Sequence, residues 1–343
     1  MMEVGWSAVL RTWLVAVIAS VGVCWVLVGA AKRWRLTGKP ALREKGERPS
    51  VPHLGGVGLV LACLAALAWS GGGWEALGHP AWRGWLIGAL WLVAIGLIDD
   101  LVWELPPFVK GLGQLVAAAM LMAGGIAVEI AYWPGWLNGL ATVLWIVGMM
   151  NALNLLDILD GLAATVAMIA ALAFVVLASW AGQAELALLA AAVTGAVAGF
   201  LVFNWSPARL YMGDAGSQWL GFTLAALALA ISYAPLGREV ALVTPLIVLG
   251  LPVYDLAYVT WMRLRRGQSP FRKSRDHLAL RAVSKGTDPR KTVLRMGGLA
   301  LGFALAGLFV SKAPNVSGAV AVALVVLVVA LWGRRLAKLQ VNA

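Results

Sequence analysis

Four polar residues follow one another at intervals of three between two long apolar runs: Asn151, Asn154, Asp157 and Asp160. A carboxylate at the centre of a bilayer costs about 2.5–3.5 kcal/mol on insertion scales, so such residues are typical of a functional site. Positions three apart drift by about 60° per step around an α-helix, so the four cannot share one face of a continuous helix. We therefore predict a helix that ends near Asp157 and a second that begins at Asp160-Gly161, with Asp160 as its N-cap. This break would suit a cation and phosphates, although a simple capped turn is the alternative.

A pair of adjacent aspartates, Asp99 and Asp100, closes the third apolar run. Adjacent carboxylates repel each other unless a cation intervenes, so the pair suits a metal ligand or a base for a phosphate proton. The alternative is a hydrated helix end, but an aspartate there opposes the helix dipole. Lys110 and Gln114 follow with the spacing of one helix face. Lys110 is a candidate partner for a phosphate or a boundary lysine that extends to the membrane surface.

A second segment with a high density of candidate site residues runs from Phe203 to Ser217. Pro207 and the glycines predict a turn at the membrane face, after which Asp214 opens the next apolar run. Glycines on either side of this carboxylate allow a close backbone approach. A carboxylate at a helix N-terminus is also a common cap, but this second break faces the same side as the first.

The segment 263–292 is strongly basic and contains His277 and Arg281, which would share one face of a helix. We predict that this segment is a catalytic loop that reaches over the carboxylates. The alternative is a solvated basic surface that contacts anionic lipid head groups.

These residues sit in a chain of 343 residues that is 61% hydrophobic and only 13% charged, with mean hydropathy +0.85. That composition predicts an all-α polytopic membrane protein and excludes an ordinary soluble protein. Cys24 and Cys63 lie inside apolar runs and indicate neither a disulfide framework nor a metal site. We predict one domain over 1–343 with eleven spans: 8–30, 54–70, 82–98, 108–124, 137–153, 161–180, 184–203, 216–233, 240–262, 293–311 and 316–333.

The basic residues fix the predicted orientation. All of the 27 Lys and Arg residues fall in loops on one side, except Arg11, Arg83, Arg238 and Lys312. By the positive-inside rule the N-terminus is external and the C-terminus cytoplasmic, in a bacterial inner membrane. The carboxylates described above then share the cytoplasmic face beside a basic rim, which fits a divalent cation and a phosphorylated substrate. Because topology accounts for the net charge of +11, no nucleic acid is predicted as a partner.

The chain resembles the polyprenyl-phosphate N-acetylhexosamine-1-phosphate transferases, of the glycosyltransferase family 4 type. The resemblance covers about residues 40–281 and rests on seven motifs in the order of that family. They are Pro52-His53-Leu54-Gly55-Gly56, Gly96-Leu97-Ile98-Asp99-Asp100, Lys110 with Gln114, Asn151 to Gly161, Met212-Gly213-Asp214-Ala215-Gly216-Ser217, Pro252-Val253-Tyr254-Asp255 and Ser269-Pro270-Phe271.

The resemblance implies transfer of a sugar phosphate, here N-acetylglucosamine 1-phosphate, from a UDP-sugar to a polyprenyl phosphate such as undecaprenyl phosphate, with release of UMP. It also implies dependence on Mg²⁺, with Mn²⁺ as a substitute, and a membrane lipid environment. Residue roles follow in three groups. The catalytic group is Asp99, Asp100, Asp157 and Asp160; the substrate-binding group is Lys110, Asn151, Asn154, Asn204, Asp255, His277 and Arg281; the metal ligands are Asp214 and Asp157.

The sequence departs from the family pattern at three places, which bear on recognition of the sugar-nucleotide donor and on the loop that contains Ile158. Ile158 stands where the family commonly has glycine, and His277 is the one histidine left of a histidine-rich segment. Trp103 replaces a lysine typical of the branch that uses a muramoyl-pentapeptide nucleotide, so a UDP-N-acetylhexosamine donor is favoured. The alternatives are a transporter or flippase for an anionic lipid or nucleotide, and a catalytically weakened family member. The sequence does not decide between a monomer and a homodimer.

Overall fold

The computed structural model describes residues 5–34, 51–70, 79–233, 237–269, 276–284 and 286–337, and all regular secondary structure in these ranges is helical. The prediction of an all-α protein is confirmed. The chain divides into two compact units, Met1–Ile231 and Ser232–Ala343, which are described separately below.

The described residues of the first unit form eight α-helices. They are α1 (Trp6–Trp34), α2 (Gly55–Trp69), α3 (Pro80–Leu97), α4 (Pro107–Ala123), α5 (Gly135–Leu156), α6 (Leu162–Trp180), α7 (Ala184–Asn204) and α8 (Gly213–Ala230). After α3 the chain widens into a π-helical turn over Ile98–Val102, which carries the aspartate pair. Each helix coincides with one of the apolar runs recognised in the sequence.

Helix α8 is the centre of the first unit, since 15 of its 18 residues are buried and it packs against α2, α3 and α5. Glycines permit these crossings. A Cβ atom on Gly56 of α2 or Gly96 of α3 would collide with the backbone at Ala215, and one on Gly221 would collide with the backbone of α5 at Met150. Three helices thus touch α8 backbone to backbone, which brings their polar ends to its N-terminus.

The second unit begins with a 3₁₀ turn at Glu239–Val243. It continues with α9 (Thr244–Val248), α10 (Gly250–Arg265), α11 (Leu278–Ser284), α12 (Pro289–Lys312) and α13 (Asn315–Ala337). The helix over the predicted span 240–262 is interrupted, because the chain bends by 73° between Val248 and Gly250, and the span itself stays a prediction. Pro252 explains the break, since its nitrogen has no hydrogen to donate to the carbonyl one turn earlier. A Cβ atom on Gly250 would also meet the ring of Phe303 in α12.

Six of the described helices are long and apolar enough to cross a membrane: α1, α3 with its π-helical turn, α5, α6, α7 and α12. The bent pair 239–248 and 250–265 makes a seventh if it is one span, and α2, α4 and residues 315–331 are shorter apolar helices. A multi-pass membrane protein follows from these helices. The full number of eleven spans and their orientation stay predictions.

The contact of α3 with α8 gives the first testable prediction. Gly96→Ala should lower the stability of the folded protein by about 1–3 kcal/mol, because the added methyl group meets backbone atoms that cannot rotate away. Gly148→Ala in α5 is the matched control, since a Cβ atom there meets nothing within 4 Å. The control should be neutral or stabilising by up to about 1 kcal/mol. Thermal unfolding in detergent measures both, and equal midpoints for the two variants would contradict the close crossing.

Candidate active site

The acidic residues of the first unit converge at the N-terminus of α8. Asp99, Asp100 and Asp214 each have a carboxylate oxygen within 4.8 Å of the others. Lys110, in the first turn of α4, donates to Asp99 Oδ2 at 2.7 Å and to Asp214 Oδ2 at 2.6 Å. The sequence predicted that these residues share one membrane face, and the structure places them in direct contact.

The two adjacent aspartates have different partners. Asp99 is buried and its Oδ1 accepts a hydrogen bond from the backbone N–H of Leu105 at 2.7 Å. Asp100 accepts from the N–H groups of Asp214 at 3.0 Å and Ala215 at 3.2 Å. The Asp100 carboxylate therefore lies at the positive end of α8, where a negative charge is stabilised.

Gly213 makes this approach feasible. Its φ is +70°, and a Cβ atom there would collide with the Asp100 carboxylate. A side chain would therefore be excluded both by backbone conformation and by the lack of space. The glycine expected from the sequence to allow a close backbone approach has that role at this position.

Amide side chains from α5 complete the cluster. Asn154 Nδ2 donates to Asp214 Oδ1 at 2.9 Å and to Ser217 Oγ at 3.0 Å. One turn earlier, Asn151 Nδ2 donates to Gln114 Oε1 at 2.9 Å. Asn154 therefore orients Asp214 directly, whereas Asn151 contacts α4 one turn beyond Lys110.

The break after α5 lies where the sequence predicted it, with Leu156 as the last helical residue. The N-cap prediction is wrong: Gly161, with φ +81°, precedes α6, and no side chain caps the helix. Asp160 Oδ2 instead accepts from the backbone N–H of Ala208 at 2.9 Å. Asp157 follows α5 directly, is partly exposed and is not a member of the acidic cluster around Lys110.

Asn204 connects the two loops of this surface. It is 1% exposed, its Oδ1 accepts from Gly161 N at 3.0 Å, and its Nδ2 donates to Leu210 O at 3.0 Å. Both the oxygen and the nitrogen of its side-chain amide are therefore hydrogen-bonded to backbone groups. This geometry gives Asn204 a positioning role, and its predicted contact with substrate stays a prediction.

A further contact was not predicted from the sequence. The backbone N–H groups of Gly55 and Gly56 donate to the carbonyls of Tyr211 and Met212, each at 2.9 Å, and Tyr211 N donates to Pro52 O at 2.9 Å. The rings of His53 and Tyr211 lie 5.1 Å apart. Both segments appeared among the sequence motifs, but their pairing could not be inferred because neither carries a pairing signal of its own.

The second unit contains its own buried polar cluster. Asp255 in α10 is 1% exposed; its Oδ2 lies 2.8 Å from His277 Nδ1, and its Oδ1 accepts from Leu278 N at 2.9 Å. Both carboxylate oxygens are thus engaged, so Asp255 fixes the orientation of the His277 ring and the start of α11. A carboxylate on one ring nitrogen determines which nitrogen remains for other contacts.

Arg281, predicted to bind substrate, is buried inside this cluster, and its contact with substrate stays a prediction. Its side chain is 0% exposed and donates to Asp276 Oδ1 at 2.6 Å, with its guanidinium carbon 5.4 Å from the centre of the Tyr258 ring. Asp276 Oδ2 also accepts from Arg266 at 2.7 Å, and the Arg266 side chain is 42% exposed. Asp276, which holds Arg281 in the interior, was not among the site residues predicted from the sequence. Residues 270–275 and Lys285 of the predicted catalytic loop lie outside the described residues.

The acidic cluster of the first unit fits a hard divalent cation. Three carboxylates that can each offer one oxygen within a small radius are the ligand type that Mg²⁺ prefers. The predicted ligand Asp214 belongs to this set, together with Asp99 and Asp100. The predicted second ligand, Asp157, stays a prediction.

Comparison with known proteins shows which proteins this chain is similar to. A model of glycosyl transferase family 4 matches residues 82–232, which include the acidic cluster. The chain is 31% identical over 306 residues to the decaprenyl-phosphate N-acetylglucosaminephosphotransferase of Mycobacterium leprae, covering 78% of this chain and 75% of that protein. It is 28% identical over 252 residues to a probable undecaprenyl-phosphate N-acetylglucosaminyl 1-phosphate transferase of Bacillus subtilis, covering 71% and 69%. A phospho-N-acetylmuramoyl-pentapeptide-transferase of Limosilactobacillus fermentum is 34% identical over 220 residues, covering 56% and 65%.

Proposed function

Because the chain belongs to glycosyl transferase family 4, we propose that it transfers N-acetylhexosamine 1-phosphate from a UDP-sugar to a membrane polyprenyl phosphate. The observation that carries this proposal is the contact of Lys110 with Asp99 and Asp214 inside a cluster of three carboxylates. The Lys110 ammonium can bind a phosphate directly, and the carboxylates beside it can bind a metal cation that contacts phosphate. This combination suits a reaction in which both substrates bear phosphate.

The proposed reaction is a displacement at phosphorus. An oxygen of the polyprenyl phosphate attacks the phosphorus that carries the sugar, the bond to the bridging oxygen breaks, and UMP leaves with the electron pair. A new diphosphate bond links the lipid to the sugar. Catalysis of such a transfer consists mostly of positioning and charge neutralisation, because the attacking phosphate is already a nucleophile once ionised.

Different residues of the first unit would bind the metal, orient its ligands and bind a phosphate. Mg²⁺ bound by Asp99, Asp100 and Asp214 would neutralise charge on the phosphates. Asn154 orients Asp214, and the backbone amides at the start of α8 hold Asp100. Lys110, whose side chain is 26% exposed, is placed to bind a phosphate oxygen with its ammonium group.

N-acetylglucosamine 1-phosphate is the proposed group transferred. Two of the relatives named above carry N-acetylglucosamine in their names and align with more than two thirds of this chain. Trp103 and the single histidine at position 277 support the same donor, as the sequence departures indicated. A muramoyl-pentapeptide nucleotide is the second candidate, favoured by the similarity to the transferase of Limosilactobacillus fermentum.

The purified full-length protein in detergent tests the proposal. With undecaprenyl phosphate and Mg²⁺, UDP-N-acetylglucosamine should yield UMP and a lipid-linked sugar diphosphate in equal amounts. Omission of the lipid, or addition of EDTA, should abolish both products. Release of UMP from the muramoyl-pentapeptide nucleotide alone would reassign the donor, and no UMP from either nucleotide would reject the transferase in favour of a transporter.

The charge distribution also supports a proposed orientation, with the N-terminus external and the catalytic face cytoplasmic. Ser269→Cys should be protected from a membrane-impermeant thiol reagent in intact cells, whereas Ser7→Cys should react. Both positions are exposed in the structure, and the natural Cys24 and Cys63 are fully buried, so the background should be low. Rapid labelling at position 269 in intact cells would invert the orientation.

A further inference from the structure

Lys110 occupies the position of a cation between two carboxylates. Its Nζ atom lies 2.7 Å from Asp99 Oδ2 and 2.6 Å from Asp214 Oδ2, and these carboxylates belong to the set whose oxygens lie within 4.8 Å of one another. A divalent cation held by the same oxygens would stand a few ångströms from the ammonium. Like charges at that distance repel strongly where water is partly excluded.

We propose that Lys110 is an exchangeable counter-ion: the divalent cation displaces its ammonium from Asp99 and Asp214, and the released ammonium then binds a substrate phosphate. This proposal rests on the proposed function, because that function supplies the metal and the phosphate. It adds to the proposed function a competition between Lys110 and the metal, together with a coupling between metal binding and phosphate binding.

The surroundings of Lys110 permit the exchange. Lys110 lies in the first turn of α4 and its side chain is 26% exposed, so its flexible stem can withdraw without movement of the helix. Each of the three carboxylates also has a neutral hydrogen-bond donor that can stay in place. Asp214 keeps the Asn154 amide, Asp99 keeps the N–H of Leu105, and Asp100 keeps the N–H groups at the start of α8.

The exchange has a thermodynamic consequence. Metal binding to the protein alone must break two ion pairs of Lys110, whereas a phosphate offers the displaced ammonium a new partner. Metal and phosphate should therefore strengthen each other's binding by the same factor, since linkage is reciprocal. Part of that coupling must disappear when position 110 carries no charge.

Mn²⁺ binding to the full-length protein in detergent, followed by the electron paramagnetic resonance signal of free Mn²⁺, tests the competition without turnover. Lys110→Met should bind Mn²⁺ at least about fivefold more tightly than the wild-type protein, at the lower end of typical coupling between sites. Lys110→Arg, which keeps the charge, should not gain affinity. Asp214→Asn should lose the binding and thereby identify the site, and Arg83→Met should control for the change in net charge at an exposed position of α3.

The coupling is tested by repeating the titrations with saturating UMP. The wild-type protein should gain more Mn²⁺ affinity from UMP than Lys110→Met does. Unchanged or weaker Mn²⁺ binding by Lys110→Met would overturn the exchange, as would equal coupling in the two proteins. Lys110→Gln gives the same measurement if the methionine variant does not fold.

Failure of the exchange and failure of the proposed function are distinguishable. Tighter Mn²⁺ binding by Lys110→Met would support the exchange even if UDP-N-acetylglucosamine yielded no UMP. Conversely, lipid-dependent UMP release by the wild-type protein with no gain of Mn²⁺ affinity in Lys110→Met would retain the transferase and reject the exchange.

Discussion

Asp214→Asn is expected to lower kcat by at least about 100-fold, the size of effect seen when one preorganised electrostatic group is removed from an active site. The change removes one negative charge at nearly constant shape, at the carboxylate that contacts both Lys110 and Asn154. UMP release at saturating substrates measures kcat, and a Mg²⁺ titration measures the metal requirement. The variant should also need more Mg²⁺ for its residual activity.

Glu104→Gln is the matched control for that experiment. Glu104 is an exposed carboxylate in the connection between α3 and α4, outside the cluster of three. Loss of its charge should leave the Mg²⁺ dependence unchanged. Near-normal turnover of Asp214→Asn with an unchanged Mg²⁺ titration would remove Asp214 from the proposed metal ligands.

Asp276→Asn is expected to lower the free energy of unfolding by about 3–5 kcal/mol, the range for breaking a buried ion pair by removing one partner. The fully buried Arg281 guanidinium would then face a neutral amide where it now meets a carboxylate at 2.6 Å. Unfolding of the purified protein in mixed micelles, with a denaturing detergent as the variable, measures the change.

Two variants control for the loss of one charge in the second unit. Asp288→Asn makes the same chemical change at an exposed N-cap of α12, where asparagine caps about as well as aspartate. Arg266→Ala removes the half-exposed partner of Asp276, and should cost about 1 kcal/mol or less. If Asp276→Asn were no more harmful than Asp288→Asn, the buried cluster would not stabilise the second unit.

Hydropathy and charge predicted most of the architecture. The apolar runs predicted the helices of the first unit. The alternation of loops predicted that Asp99, Asp100 and Asp214 share one membrane face. Hydropathy does not determine how far each helix is rotated about its axis. The sequence therefore could not show that Lys110 meets Asp99 and Asp214, whereas Asp157, predicted on the same face, stands outside that cluster.

The errors have local physical causes. Asp160 has the residue type of an N-cap, but the backbone at Ala208 is the donor it meets and Gly161 supplies the left-handed turn. The apolar run 240–262 hides a break because hydropathy averages over Pro252. Arg281 was predicted to bind substrate from its place in a basic segment, and the sequence could not show that its side chain is buried against Asp276.

The pairing of Gly55 and Gly56 with Tyr211 and Met212 has a consequence for biosynthesis. The first of these segments leaves the ribosome before α3 to α8, the remaining described helices of the first unit, have been made. The backbone N–H groups of Gly55 and Gly56 have no native partner until Tyr211 and Met212 have been made and inserted. This part of the proposed catalytic face can therefore form only after that point in translation. Two co-expressed fragments divided in the α6–α7 connection should therefore be inactive alone and recover activity when they associate in the membrane.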